Sequence, residues 1–445
     1  MTETFGLIDA DAFYVSCERA FQPALEGRPV VVLSNNDGNV VARSRESKAL
    51  GITMGMPFFK ARPVIERHGV TWFSSNYTLY GGVSRRVFDT IEGFVPALEH
   101  YSIDEAFVHF DGSGRQEEDA HDIRSTVRKW TGIPVSVGIG PTKVLAKVAA
   151  SIAKKRPEYG GVVDLSGRDV DHHLKDFDVS DLWGIGPRYA RFLKSEGEGD
   201  PSQPDLWEAS GLPTVLGKRR VETALDLKNS PDTWVRKHLT VRGLRLVWEL
   251  RGISCLPLEV FEKPRKGLCC SRSFGRPVTT IEDLGAAVAM HCARGGEKLR
   301  RQRLAASHLT VFVSTPRFRE RPEDVYSGAA SLQLPFPTSY TPGLIAAAQS
   351  LLERVYKPGF VYHKAGVFLT DIVAEAERQQ SILAGVDDER RVRAMRAVDE
   401  INRRHGRYTV RPLAAGAGRG WDMRRQRVSP RYTTRLDEVL RVKAC

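Results

Sequence analysis

Apolar positions recur along this chain with two periods, and each switch between them marks where a strand gives way to a helix. Phe5 to Asp9 has the pattern of a short buried strand closed by an acid, and Asp11 then suits the N-cap of a helix through Phe13, Tyr14, Cys17 and Glu18. Pro29 to Leu33 and Val40 to Arg43 are β-branched runs joined by Ser34-Asn35-Asn36-Asp37-Gly38, whose Asp-Gly pair predicts a hairpin. A helix over Arg45 to Leu50 stops at Gly51. Helical spacing returns from Tyr77 to Phe94 and from Asp119 to Trp130, with strands predicted at Leu98 to Ile103, Ala106 to Phe110 and Val135 to Ile139. The last strand runs through Gly140-Pro141-Thr142 into a helix over Lys143 to Lys155. That alternation predicts an α+β core with its helices gathered on one face of a small sheet.

From Leu182-Trp183-Gly184-Ile185-Gly186-Pro187 the pattern turns wholly helical and stays so to about Gly252. Pro257 to Lys266, charged and twice interrupted by proline, has linker character. Beyond Leu268 come a strand, a helix (Gly285 to Arg303), a strand (Ser307 to Ser314), a helix (Pro342 to Tyr356) and a strand (Lys364 to Asp371), which predict a second small α/β domain. The rest is Arg-rich and expected to be only partly ordered by itself. A chain of 445 residues agrees with several domains, because single cores stop growing near about 250 to 300 residues.

Composition sharpens the picture. Hydrophobic residues make up 41% and charged residues 27%, which is globular. The net charge of +12 favours a polyanionic partner, nucleic acid first. The surplus is uneven: Gly385 to Cys445 holds 16 basic and 8 acidic residues, a balance of +8. The six cysteines have no zinc-type spacing and are too sparse for a disulfide scaffold, so a reducing cytoplasm is expected. Glu3, Asp9 and Asp11 stand where a signal peptide would be basic and then apolar, and no membrane-spanning apolar run is present.

The candidate chemistry is acidic. Asp9 closes the first strand, and the pair Asp104-Glu105 lies between two apolar strands. Neighbours in a strand face opposite ways, so both carboxylates reach one place only if the pair sits at a turn or bulge. Any one of these acids alone is better read as a solvated strand end. Three meeting across adjacent strands would bind two divalent cations of the magnesium type, which also take phosphates as ligands.

Leu7-Ile8-Asp9-Ala10-Asp11-Ala12-Phe13-Tyr14, Ser102-Ile103-Asp104-Glu105-Ala106 and Ser136-Val137-Gly138-Ile139-Gly140 together resemble the palm motifs of Y-family DNA polymerases, in order and spacing. The resemblance implies a right-hand polymerase: palm at 1–10 and 77–165, small fingers at 11–76, helical thumb at 166–256, linker at 257–267, α/β little finger at 268–372 and a basic C-terminal region at 373–445. It implies that Asp9, Asp104 and Glu105, with the Ala10 carbonyl, hold two Mg2+ ions. Asp11 is not a ligand position and stays a helix cap. Tyr14 falls at the steric gate that rejects a 2′-hydroxyl, and Phe13 at the residue closing over the nucleotide. Arg45, Lys48 and Lys154 match triphosphate-contacting positions, although Arg45 and Lys48 depart from the Tyr then Arg usual there.

Further along, the glycines Gly184 and Gly186 resemble a helix-hairpin-helix whose backbone amides hold a DNA phosphate. Arg272 and Arg276 share strand parity at the start of the implied little finger and could reach one DNA backbone. Lys298, Arg300, Arg301 and Arg303 read equally as phosphate contacts or a solvated helix face. Past residue 372, Trp421-Asp422-Met423-Arg424-Arg425 and Ser429-Pro430-Arg431-Tyr432-Thr433-Thr434-Arg435 are similar to the UmuC branch of the family. That branch implies error-prone lesion bypass in the SOS response on primed damaged DNA with dNTPs, working with a UmuD′ homodimer and a RecA nucleoprotein filament. Gln380-Ser381-Ile382-Leu383-Ala384 keeps only the Gln and Leu of a sliding-clamp motif, so a clamp is the least supported partner. The competing readings are a non-catalytic DNA-binding accessory subunit of a mutasome, opposed by all three acids, and a nucleotidyl cyclase, to which the hairpin, second domain and tail are surplus. A DinB-type polymerase fits the motifs but not the tail.

Overall fold

The computed structural model describes residues 4–110, 114–167, 169–195, 220–261, 264–316, 322–377, 387–416 and 421–440. From the N-terminus, β1 (Thr4–Ala10) leads into α1 (Phe13–Phe21). A small three-stranded sheet follows, made of β2 (Val30–Leu33) and β3 (Val40–Arg43) as a hairpin, with β4 (Thr71–Ser74) parallel to β2. The helices α2 (Arg45–Ala49) and α3 (Phe58–His68) lie between β3 and β4. Asn36 and Asp37 both take positive φ in the hairpin loop, as its Asn-Asp-Gly sequence allows.

The chain then builds α4 (Tyr77–Glu92), β5 (Ala97–His100), β6 (Glu105–Phe110), α5 (Gln116–Thr131), β7 (Val135–Gly140), α6 (Lys143–Lys155) and β8 (Val162–Asp164). With β1 these strands form one sheet in the order β5-β6-β1-β7-β8. Side-chain caps start the helices: Asn76 accepts from the Leu79 amide for α4, and Thr142 from the Leu145 amide for α6.

Helices cover both faces of this sheet, which corrects the expectation of a single helical face. Ile8, Ala106, Val108, Val137 and Ile139 pack with α4 and α5, whereas Phe5, Leu7 and Phe107 pack with Ala146 and Ala150 of α6. The central strands are apolar on both alternations, so neither face can be left to water. On the α6 face Gly138 is what permits contact: a Cβ there would land on the Ala150 amide nitrogen and the Ala146 carbonyl. Gly138→Ala is therefore expected to destabilise the protein at the upper end of the about 1–3 kcal/mol range of overpacking, read as a lowered urea midpoint. A wild-type midpoint would show that α6 can move away without cost.

A helical segment comes next, with α7 (Val170–Lys175), α8 (Pro187–Lys194), α9 (Ala224–Lys228) and α10 (Asp232–Leu250) sharing one core with α6. A second domain is built from β9 (Gly267–Val278), α11 (Ile281–Arg301), β10 (Leu304–Ser314), β11 (Ser327–Thr338), α12 (Thr341–Val355) and β12 (Tyr362–Ala374). Its antiparallel sheet runs β11-β10-β12-β9, and α11 and α12 supply the other half of its core. After α13 (Asp387–His405) the chain is irregular, yet it is not loose. Trp421 is buried in the core of the second domain, and residues 424–433 run across the hairpin loop to α1 and α4. Among the described residues no helix is long and apolar enough to cross a membrane. Gln380 to Ala384, the degenerate clamp motif, lies outside the described residues.

Candidate active site

Strand parity assembles the acidic site. β1 and β6 pair antiparallel with Asp9 directly opposite Glu105. Phe5, Leu7 and Asp9 share one face of β1, and Glu105 and Phe107 share the matching face of β6, so both carboxylates are delivered to the α6 side. Asp104 precedes β6 in a tight turn, where the Tyr101 and Ser102 amides both donate to the Glu105 carbonyl, at 3.2 and 3.0 Å. Ser102 clamps that turn: its Oγ accepts from the Asp104 and Glu105 amides at 3.2 and 3.0 Å and donates to Asp104 Oδ1 at 2.5 Å. The Ala10 amide donates to the Asp104 carbonyl at 2.9 Å, tying the turn to the end of β1.

Two ammonium groups from α6 rest on these acids. Lys154 Nζ lies 2.9 Å from Asp9 Oδ1 and 3.7 Å from Asp11 Oδ1, and Lys147 Nζ lies 2.9 and 3.2 Å from the two oxygens of Glu105. Burial pushes the Asp9 carboxyl up to about 6, Lys154 pulls it back, and the neighbouring Glu105 and Asp104 charges push it up again. Burial works against the charge on Lys154, but Asp9, Asp11 and Asp104 hold its pKa above the ordinary lysine value. Negative charge in this cleft is thus incompletely balanced.

Among the described residues no three His, Cys, Asp or Glu side chains converge, as they stand, on a point that could hold a metal ion. The lysines take the approaches to Asp9 and Glu105. The donor set nevertheless fits hard divalent cations: every donor is an oxygen, from three carboxylates and a backbone carbonyl, and a carboxyl whose ionisation is disfavoured by burial and by neighbouring acids gains from added positive charge.

Tyr14 is a half-exposed ring on α1, flanked by two rings of α4. It stacks on Tyr80 with centroids 4.5 Å apart and an interplanar angle of 14°, and meets Tyr77 edge-on at 6.0 Å. Burial, then Tyr77 and Asp104, push its phenol up to about 12. Phe13, expected over a nucleotide, is instead buried in the core with Ile8 and Val135, so Tyr14 is the ring on offer. Asp11 does not cap α1. Ala12 occupies the N-cap position in a left-handed conformation, and the Asp11 carboxylate accepts from Ser136 Oγ at 2.9 and 3.2 Å. The bend at Ala12 turns Asp11 towards β7.

Arg45 and Lys48 stand exposed on α2. Gly184 takes a φ of +96° and Gly186 is the N-cap of α8, while Trp183 Nε1 donates to the Tyr101 hydroxyl at 2.9 Å. Arg272 and Arg276 do not form one uniform row. The β9 and β12 register slips between Ser273 and Val278, Arg272 lies 3.4 Å from Asp422 and Arg276 lies 3.2 Å from Asp283. Arg300 is a structural residue, with its guanidinium on both oxygens of Asp399 at 2.6 and 2.7 Å.

Sequence reasoning missed Lys147, Ser102, Ser136 and Tyr80. For Lys147 a signal existed: Lys143, Lys147 and Lys154 fall at helical spacing and share a face of a helix whose other positions are apolar save Ser151 and Lys155.

Comparison with known proteins agrees with this geometry. Residues 8–151 match the impB/mucB/samB family, residues 265–382 its C-terminal domain, and residues 393–442 a domain of unknown function (DUF4113). The chain is 40% identical to "Protein UmuC" of Salmonella typhimurium, covering 99% of this chain and 100% of that protein. It is 29% identical to a "DNA polymerase IV" of Moorella thermoacetica, over 93% of this chain and 96% of the relative. A solved Y-family DNA polymerase chimera superposes with a TM-score of 0.62 at 20% identity, over 83% of this chain and 99% of that one. With one relative this similar along its whole length, and with that fold, the chain belongs to the impB/mucB/samB family, the UmuC-type branch of the Y-family polymerases.

Proposed function

We propose that this chain is an error-prone translesion DNA polymerase, which transfers nucleotides from dNTPs to a template-paired primer 3′-hydroxyl by a two-magnesium mechanism and bypasses DNA damage in the SOS response. The observation that carries the reading is the pairing of Asp9 with Glu105 across β1 and β6, with Asp104 held at the adjoining turn. These three side chains, with the Ala10 carbonyl, are the ligands we assign to the cations. Two divalent ions bound there supply acidity to the attacking hydroxyl and compensate the charge that develops on pyrophosphate.

The chain's own residues do the rest. Lys154 balances Asp9 in the ion-free protein and is the ammonium within reach of an arriving triphosphate. Arg45 and Lys48, exposed on α2, are assigned to the same triphosphate. Tyr14 excludes a 2′-hydroxyl by volume, since its ring is backed by Tyr80 and has no room to withdraw. We read the five-stranded sheet as the palm, the β2–β4 segment as fingers, the α7–α10 segment as a thumb and the second domain as the little finger. Gly184, Gly186, Arg272 and Arg276 are assigned to the DNA backbone, the two arginines after leaving their acidic partners. The full-length relationship to a protein named UmuC supports a UmuD′ dimer and a RecA filament as partners and a cytoplasmic setting.

The test is primer extension with magnesium on undamaged and abasic templates, with and without a UmuD′ dimer and an activated RecA filament. Extension past the abasic site, abolished by chelation, is the expected result. DNA binding without any extension, partners present, would replace this reading with that of a non-catalytic accessory subunit.

A further inference from the structure

The irregular C-terminal segment reaches the ring that we assign to sugar selection. Ser429 is buried, and its Oγ donates to Glu18 Oε1 at 2.9 Å. The same oxygen accepts the Tyr80 hydroxyl at 2.7 Å, and Glu18 has no exposed surface. Tyr80 is equally buried and lies flat against Tyr14, with 4.5 Å between centroids. One unbroken line of contacts therefore runs from residue 429 to residue 14.

A second tie runs beside it. Asn76, the N-cap of α4, donates to the Ser429 carbonyl at 2.8 Å, to Ser429 Oγ at 3.1 Å and to the Pro430 carbonyl at 3.3 Å, while its Oδ1 accepts from the Leu79 amide. The start of α4, which carries Tyr77 and Tyr80, is thus bonded directly to the segment. Tyr432 stacks on Phe21 of α1 at 4.8 Å and 11°, and Thr433 lies so close to Gly82 of α4 that a Cβ there would stand 3.0 Å from its Oγ1. Residues 429–433 consequently hold α1, which bears Tyr14, against α4, which bears its backing ring.

We propose that Ser429, Glu18 and Tyr80 are positioning residues for sugar selection, through which the C-terminal segment holds the Tyr14 ring where a 2′-hydroxyl would have to be. The physical case is one of stiffness. A steric gate discriminates only as well as it resists displacement, and a ring backed by a second ring yields only if that ring moves too. Tyr80 is anchored through a hydrogen bond to the buried Glu18 carboxyl, which it cannot leave without stranding a buried hydroxyl. Glu18 is itself held at that oxygen by Ser429, the one member of the line supplied from the far end of the chain. This inference rests on the polymerase reading and on Tyr14 as its gate.

The experiment measures insertion efficiency for dCTP and rCTP opposite an undamaged template guanine, using the full chain in whichever assembly extends primers. Tyr14→Ala, Ser429→Ala, Tyr80→Phe and Tyr80→Leu are compared with wild type. Ser429→Ala is expected to raise the rCTP-to-dCTP ratio about fivefold, the equivalent of one lost net hydrogen bond, with dCTP insertion unchanged. Tyr80→Phe should resemble it, and Tyr80→Leu should exceed it. If Tyr14→Ala relaxes the ratio and neither Ser429→Ala nor Tyr80→Leu does, the relay is wrong and the gate survives. If Ser429→Ala lowers both insertions equally, the segment is merely structural and the inference fails. A wild-type ratio in Tyr14→Ala would remove the gate itself, and the relay with it.

Discussion

Asp9→Asn will lose nucleotide transfer on the order of 10³-fold or more, yet in EDTA at pH 8 it will melt at a higher temperature than wild type. The loss is expected if Asp9 is a cation ligand, as proposed, because the charge stabilisation such cations would supply is worth several kcal/mol. The gain follows from linkage. Burial, with Glu105 and Asp104 opposing its charge, holds the Asp9 carboxyl at about 6 in the folded protein, above the ordinary value of 3.8. A group whose folded pKa is raised contributes stability that is fully present below its unfolded value and lost as pH rises through the folded one. Wild type without divalent ions should therefore lose about 1–3 kcal/mol between pH 4 and pH 8 from this site, and an amide at residue 9 should not. Magnesium should reverse the order, stabilising wild type and leaving Asp9→Asn unmoved. Differential melting at pH 5 and pH 8, with EDTA and with magnesium, reads all of this. Equal pH slopes for the two proteins would mean that the fold does not raise the Asp9 carboxyl, and retained transfer by Asp9→Asn would remove residue 9 from the ligand set.

The acids were legible in the sequence because their placement is a matter of local pattern. A short, continuously apolar strand ends on Asp9, the Ser102-Ile103-Asp104-Glu105 run interrupts two others, and parity does the remainder. What the pattern could not convey is that β1, β6 and β7 are apolar on both alternations, so α6 was placed without its face. Once α6 covers the Asp9 side, Lys147 and Lys154 must meet the carboxylates. Two other omissions have different causes. β11 is an edge strand whose first half is small and polar, and its apolar positions, Leu332, Leu334 and Phe336, alternate with Gln333, Pro335 and Pro337, so proline obscures the strand signal they carry. β4 is four residues long and is defined by parallel pairing with β2, about 40 positions earlier, a contact that no local window contains.

The C-terminal segment was the least legible part. It has no period to detect, because its order comes from side chains that lie hundreds of positions upstream. Asn36 illustrates how such a segment is held. Its amide donates to the Ser273 and Phe274 carbonyls at 3.2 and 3.1 Å, and its oxygen accepts from the Arg424 amide at 2.9 Å. One hairpin residue thereby joins β9 to the segment. Asp37 accepts from the Gln426 amide at 3.0 Å, and Ser74 and Arg427 exchange two more bonds, with the Arg427 guanidinium 4.7 Å above the Trp72 ring. None of these partners is close in sequence, and none is conspicuous alone.

Trp421→Ala should release that segment at its root. The indole is 3% exposed in the core of the second domain, edge-on to Phe274 with centroids 6.3 Å apart and next to His291. Its carbonyl accepts from the Gly275 amide at 3.2 Å, and the backbone of Asp422 to Arg424 lies against Gly275 so closely that no side chain would fit there. Truncating a buried tryptophan to alanine costs about 3–5 kcal/mol. Among the described residues Nε1 has no hydrogen-bond partner, so part of that cost is already offset by removing a buried donor that water would have satisfied. We therefore expect about 3 kcal/mol for Trp421→Ala and a nearly neutral Trp421→Phe, which keeps an aromatic ring and removes the orphaned donor. Hydrogen exchange distinguishes the two ends of the segment. The Gly275, Arg424 and Gln426 amides should lose protection in Trp421→Ala, and the Ser74 amide, bonded to the Arg427 carbonyl at 2.8 Å, should follow. Faster exchange at Gly275 with an unchanged Ser74 would mean that the contacts at Asn76 and Glu18 hold the far end unaided, and that Trp421 anchors the segment only to its own domain.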